Sequence, residues 1–317
     1  MATHLREKGW LSQAVLLLWE GPLEEETRAV AQEMVALARA AAPDLRLLAT
    51  PGVAGADIWC LPLPLGFRAT VLRARGDAAL WAREDRLYAL DADSAAIDLR
   101  GYPWRLKRCG ITGVEWPALT RWNAPATPTP PADPGEWEGR LAAAEPPPGW
   151  GVLIHPGRAE GAMPRDSIRW ELYREGVEDY DALTLLEQAY VSARDALRVQ
   201  DPRFEAAALI EHVTRPVASS IVESTLDPAR LHSARAFVDH LIEFLSAEPP
   251  CVFRFAGEGE TRALEGVTLP AVTVESGRAR VAVDAAGRFR VPLPAGGLRL
   301  TVRSGRQQRE LVIEGGW

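Results

Sequence analysis

The sequence predicts an α/β protein laid out in three stretches: a parallel sheet of about five strands, a run of amphipathic helices, and a small β-sandwich at the C-terminal end. Three observations carry this reading. Short continuous apolar runs alternate with helical patterns over residues 14–116. Helix-period stripes then fill residues 166–247, and after Pro249-Pro250 the apolar period drops to two.

Residues 14–19 (Ala-Val-Leu-Leu-Leu-Trp) end in Glu20-Gly21-Pro22, the pattern of a strand buried on both faces with a loop at its C-terminal end. Glu24 to Ala42 reads as a helix. Val30, Met34, Leu37 and Ala41 recur at spacings of three and four, and acids occupy the first turn, where the helix dipole favours them. Pro43-Asp44 stops it. Apolar runs at 45–50, 56–61, 78–82 and 111–116 supply the remaining strands, the last preceded by a helix over Ile97–Arg108.

The Pro-rich stretch from Ala124 to Gly149 is expected to be an extended loop, and Gly151–Gly157 a brief extended segment. Asp166 or Ser167 can cap a long helix with an inner stripe of Ile168, Leu172, Gly176, Tyr180, Leu183, Leu186 and Tyr190. Glycine costs a helix about 1 kcal/mol, so Gly176 on that stripe implies close approach of a neighbour. Two more helices are expected over 203–215 and 227–247, the second entered through Asp227-Pro228. Beyond 251, Val272 and Val274, Val281 and Val283, Phe289 and Val291, Leu298, Leu300 and Val302, and Leu311 and Ile313 alternate with polar residues. Turns fall at Ser276-Gly277, Ala286-Gly287, Gly296-Gly297 and Ser304-Gly305.

Composition narrows the function. With 317 residues and 47% hydrophobic content, the chain has room for about two domains. A formal charge of −7 argues against non-specific nucleic-acid binding, which needs a basic stripe. No apolar run approaches the ~20 residues of a membrane span, so no membrane partner is expected. Cys60, Cys109 and Cys251 lie far apart without CxxC spacing, which excludes a disulfide scaffold and a zinc knot. His4, His212, His232 and His240 form no metal pattern and read as structural. There is no P-loop, no GxGxxG after a strand and no GxSxG, so no cofactor is implied. Eleven Trp against five Tyr suggest a large aromatic core or flat apolar faces offered to a ligand. Met1 to Trp10 lacks the apolar core of a signal peptide, so a chain starting at Met1 is expected to stay in the cytoplasm.

The segment GWGVLIHPG…MPRDSIRWELYREGVEDYDALTLLEQ (149–188) resembles the C-terminal part of the glycoside hydrolase family 123 catalytic domain and its relatives of unknown function. Ala56-Asp57-Ile58-Trp59-Cys60, Ile97–Gly113 and Gly113–Trp122 extend the likeness, which covers roughly residues 1–245. In that family such a segment closes a (β/α)8 barrel. The tail 284–302 separately resembles carboxypeptidase-regulatory-like β-sandwich modules. The resemblance therefore implies a partial (β/α)8 TIM-barrel-like domain with C-terminal helices over 1–248, then a small β-sandwich accessory domain over 249–317. Five strands cannot close an eight-stranded barrel, and an open parallel sheet exposes an edge, so the expectation is a chain truncated or mis-started at its N-terminal end, with a partner chain or self-association completing the barrel as the alternatives.

The same resemblance implies an exo-β-N-acetylgalactosaminidase-like activity on a carbohydrate ligand. The substrate's own acetamido oxygen is the nucleophile, and an adjacent Asp-Glu pair orients it and protonates the leaving group. Here Glu20-Gly21-Pro22 stands where the family has Asp-Glu-Pro. Glu20 is the one matching carboxylate, and Gly21 replaces the acid. The dyad is therefore expected to be degenerate. Glu115, near the end of the last strand, is a candidate replacement acid. The plainer readings are a loop glutamate for Glu20 and a solvated or Arg-paired carboxylate for Glu115. Trp59, Trp81, Trp116 and Trp122 fall at strand ends, where they can stack on a sugar face or belong to the core. His155, which replaces the tyrosine of the family's YPG, can donate to a sugar hydroxyl. The acidic face Glu171, Glu175, Glu178, Asp179 and Asp181 is expected to be solvated, with Asp179-Tyr180 also readable as a packing motif. No metal site is expected. The alternatives to a weakened hydrolase are a non-catalytic carbohydrate-binding or structural barrel protein, and a truncated fragment.

Overall fold

The computed structural model describes residues 2–21, 23–62, 76–83, 95–116, 153–155, 163–220 and 223–315. They fall into two compact units, drawn from Met1–Ser94 with Cys109–Trp170 and from Ala95–Arg108 with Glu171–Trp317. The Pro-rich stretch 124–149 and Trp122 lie outside the described residues.

The first unit opens with a short helix α1 (Ala2–Glu7), then strand β1 (Val15–Trp19), helix α2 (Glu25–Ala41) and strands β2 (Arg46–Ala49), β3 (Ile58–Pro62), β4 (Ala79–Arg83) and β5 (Gly113–Glu115). The five strands pair in parallel in sequence order, forming a curled sheet, a half-barrel. Residues on alternate sides of each strand separate two clusters. Leu47 and Ala49 of β2 pack with Ala31 and Val35 of α2, joined by Leu16 and Leu18 of β1. On the opposite face Leu48, Ile58 and Cys60 pack with Val15, Ala79 and Trp81.

The predicted stripe of α2 is corrected by one position. Ala31 and Val35 are buried, whereas Val30 and Leu37 are 49% and 64% exposed. Small residues form the buried seam here, because alanines let the helix lie close to the sheet. A short antiparallel pair, β6 (Ile154–His155) and β7 (Arg165–Asp166), completes the strands of this unit.

The second unit holds α3 (Asp98–Arg108), α4 (Ile168–Ala196, which begins in the first unit), α5 (Ala206–Thr214), α6 (Pro228–Ser246) and seven strands. The strands are β8 (Cys251–Ala256), β9 (Ala263–Thr268), β10 (Thr273–Ser276), β11 (Ala279–Val281), β12 (Arg288–Pro292), β13 (Gly297–Ser304) and β14 (Gln307–Glu314). They form two antiparallel sheets, ordered β11-β10-β13-β14 and β12-β9-β8. Strands β8 and β9 were missing from the sequence reading because Cys251–Phe253 is apolar throughout and Gly266 breaks the alternation of β9. Phe289 explains that glycine: a Cβ on Gly266 would sit 2.1 Å from its ring.

One hydrophobic core runs from Leu183, Leu186 and Tyr190 of α4 through α5 and α6 into Phe253, Leu264, Leu300 and Leu311. Tyr190 donates its hydroxyl to the Phe253 carbonyl at 2.9 Å, and the Val312 amide donates to His240 Nε2 at 3.0 Å. Ser167 caps α4, its Oγ accepting from the Trp170 amide at 3.1 Å. Ile168, expected on the inner stripe, is 68% exposed.

Candidate functional site at the carboxyl ends of the parallel strands

In parallel α/β sheets, reactive side chains gather beyond the carboxyl ends of the strands. In this sheet that position brings together Glu20, Arg83, Glu115 and Cys60. Arg83 closes β4 and Glu115 closes β5, directly paired in register. The Arg83 Nη2 donates to Glu115 Oε1 at 3.0 Å and makes a very short ion pair with Glu20 Oε1. The Cys60 thiol lies 3.2 Å from Glu115 Oε2.

The geometry measures the curl of the sheet. At ~4.8 Å per strand, β1 and β5 would stand about 19 Å apart in a flat sheet. Yet carboxylates following one edge strand and ending the other meet the same guanidinium nitrogen. Curling the sheet shortens the distance that these side chains must span.

Glu20 reaches this face through an irregularity in β1. By strict alternation Leu16, Leu18 and Glu20 would share one side, and Leu16 and Leu18 do pack with α2. Between Leu17 and Trp19 the register against β2 slips: Leu17 pairs with Leu48, but Trp19 pairs with Ala49. Trp19 therefore joins the α2 side along with Leu18, and Glu20 turns to the opposite face. The Trp19 indole Nε1 is buried without a hydrogen-bond partner among the described residues. A Cβ on Gly21 would lie 3.5 Å from it, an ordinary van der Waals contact.

The two carboxylates differ in what they can offer a ligand. Glu115 is 21% exposed and both its oxygens are engaged, whereas Glu20 is 45% exposed. Glu20 is thus the carboxylate open to solvent, and Arg83, 17% exposed, is the cation that holds the pair. The cluster can accept hydrogen bonds from polar ligand groups through Glu20.

The tryptophans separate. Trp59 is buried, its indole donating to the Val53 carbonyl at 3.3 Å, on the opposite side of β3 from Cys60. Trp81 is half-buried on the same face as Arg83, its ring filling the space that a side chain on Gly113 would need. Trp116 follows β5 and is half-buried. His155 pairs with Arg165 in the short β6–β7 ladder. The sequence reading missed Arg83 and Cys60. The signal for Arg83 was present as the first charge after the apolar run Ala79–Ala82.

Of the acidic face on α4, Glu171 and Glu178 pair with exposed Arg174, and Asp179 is buried instead of solvated. No group of three or more His, Cys, Asp or Glu residues that could hold a metal occurs among the described residues. No disulfide joins Cys60, Cys109 or Cys251.

No protein-family model matches the chain, and no curated protein does. Among solved structures it is similar to a family 123 glycoside hydrolase from Clostridium perfringens, described for glycolipid glycan hydrolysis. That likeness has 14% identity and a TM-score of 0.46, over 77% of this chain and 44% of the other. It is also similar to an FMN-binding β-glucuronidase from Facaelibacterium prausnitzii L2-6, with 12% identity and a TM-score of 0.24, over 99% of this chain and 44% of the other. The chain thus spans 44% of the length of each structure.

Proposed function

We propose that this chain is a glycoside-hydrolase-like protein that binds an N-acetylhexosaminide and hydrolyses it poorly. The single observation that carries the reading is the Glu20–Arg83–Glu115 cluster at the carboxyl ends of parallel strands, with glycine beside Glu20. Glu20 is the group that would receive the acetamido N–H. Gly21 provides no proton for the leaving oxygen, and Glu115 has both oxygens engaged within the cluster. Acid catalysis is worth ~10²–10⁴-fold, and that factor is what this site would lack. In this reading the half-barrel is part of a (β/α)8 barrel that further strands or a second copy would complete. The two C-terminal sheets would be its accessory β-sandwich.

The test has two arms. Wild-type protein should bind N-acetylgalactosamine, with affinity lowered about tenfold in Glu20→Gln, the loss of one charge-assisted hydrogen bond. It should turn over an aryl N-acetyl-β-galactosaminide weakly or not at all. The double variant Glu20→Asp, Gly21→Glu rebuilds the dyad at a position where a side chain has room. Its turnover should rise at least ~100-fold over wild type. Efficient wild-type turnover that Glu20→Gln leaves intact would place the chemistry elsewhere. Sugar binding without any gain in the double variant favours the second reading, a purely carbohydrate-binding barrel, for which the engaged state of both Glu115 oxygens is the supporting observation.

A further inference from the structure

In the second unit, α5, α6 and the β8–β9 hairpin surround a cavity of ≈ 800 Å³. Its lining includes His212 of α5, Arg215 just after it, Arg230 in the first turn of α6, Phe255 of β8, Arg262 ahead of β9, and Leu293. Against three arginines the lining holds one acid, Glu258. Neither Arg215 nor Arg230 has a carboxylate partner among the described residues.

The imidazole of His212 stacks on the Phe255 ring, with centroids 3.6 Å apart and planes 13° from parallel. Its Nε2 is buried and has no hydrogen-bond partner among the described residues. Burial, and then the positive charges of Arg215 and Arg262, hold its pKa down to about 4, so the ring is neutral at pH 7. A neutral imidazole can carry its proton on Nε2 and donate it. A buried donor without an acceptor is costly, and a ligand oxygen arriving there removes that cost.

We propose that this cavity binds the phosphate group of a small phosphomonoester, whose organic part lies against the His212–Phe255 stack and Leu293. Guanidinium groups match phosphate oxygens in a two-pronged geometry, and the excess of two positive charges suits a dianion better than a carboxylate. The aromatic stack gives the site an apolar floor that a free inorganic ion would not use.

Titration calorimetry of the full chain with inorganic phosphate, phenyl phosphate and acetate, at constant ionic strength, tests this. Phenyl phosphate should bind saturably at one site, several-fold more tightly than inorganic phosphate, and acetate should bind far more weakly. Arg215→Gln and Arg230→Gln, both exposed positions, should each weaken phenyl phosphate binding about tenfold. Arg280→Gln, an exposed arginine of β11, should leave binding unchanged. His212→Phe keeps the stack and removes the nitrogens. It should weaken binding by a similar factor without lowering the thermal midpoint. Absence of saturable phenyl phosphate binding overturns the proposal. So does an equal loss in Arg280→Gln, which would mean diffuse attraction to an arginine-rich surface. Equal affinity for acetate overturns the phosphate assignment, and equal affinity for the two phosphates overturns the role of the aromatic floor.

Discussion

At the scale of single residues, the carboxylate cluster depends on Arg83. Two glutamates converge on one guanidinium, and Glu115 is largely out of water. Replacing Arg83 by Met preserves the length of the side chain but leaves Glu115 with the Cys60 thiol as its remaining described partner. Arg83→Met should therefore destabilise the protein by about 1–3 kcal/mol in urea unfolding. Adding Glu115→Gln should recover part of that loss, because the stranded charge is gone. A double variant no more stable than Arg83→Met would mean that the pair is not coupled. This cluster was half legible in the sequence. Glu20 and Glu115 could be picked out because each follows or ends an apolar run, and Arg83 could have been by the same rule. The face on which Glu20 falls could not be read. It depends on the register slip between Leu17 and Trp19, and the uniformly apolar run Val15–Trp19 has no polar residue to mark a change of side.

At the scale of elements, the N-terminal half of α4 is a packing device. Ser167 caps α4, and Gly176 brings it against α3: a Cβ there would lie 2.7 Å from the Arg100 carbonyl oxygen and 3.0 Å from Pro103 Cδ. Asp179, three residues on, accepts from Arg100 Nε at 2.9 Å, Trp104 Nε1 at 3.0 Å and Arg235 at 3.3 Å. One buried carboxylate thus ties α3, α4 and α6 together. Gly176→Ala should lower stability by about 1–3 kcal/mol through overpacking, even though alanine is the better helix former by about 1 kcal/mol. Asp179→Ala should cost at least as much, about 2–4 kcal/mol, since it removes the buried anion from an Arg100 that is 8% exposed and leaves it only the half-exposed Glu175 at 2.8 Å. Chemical unfolding of both variants checks this. A Gly176→Ala protein as stable as wild type would show that α3 can shift away freely. The close approach at Gly176 was legible because glycine has no other reason to sit on an apolar stripe. The partners of Asp179 were not, because spacing along α4 says which residues share a face and nothing about which arginines arrive from elsewhere in the chain.

At the scale of the molecule, α4, α5 and α6 share one core with both antiparallel sheets. An apolar stripe reports that a helix is buried without naming the surface that buries it. One consequence concerns stability as a function of pH, because His212 on α5 stacks against β8 inside this shared assembly. Its folded pKa of about 4 lies below the ordinary value of 6.5, chiefly through burial and then through Arg215 and Arg262. As pH falls below 6.5 the unfolded chain takes up the proton first, so protonation favours unfolding. The stability linked to His212 is complete above about pH 6.5 and is lost progressively down to about pH 4, by about 3 kcal/mol in all. Carboxylates elsewhere titrate over part of the same range, so the measurement is a difference: unfolding free energies of wild type and His212→Phe, compared at steps from about pH 7.5 to 4. Phenylalanine keeps the ring stack and has no proton to accept. Wild type should lose about 3 kcal/mol more than the variant on acidification, with the divergence beginning near pH 6.5. Parallel curves would show that the imidazole is hydrated in the folded protein, and that water, not ligand, satisfies its buried nitrogen.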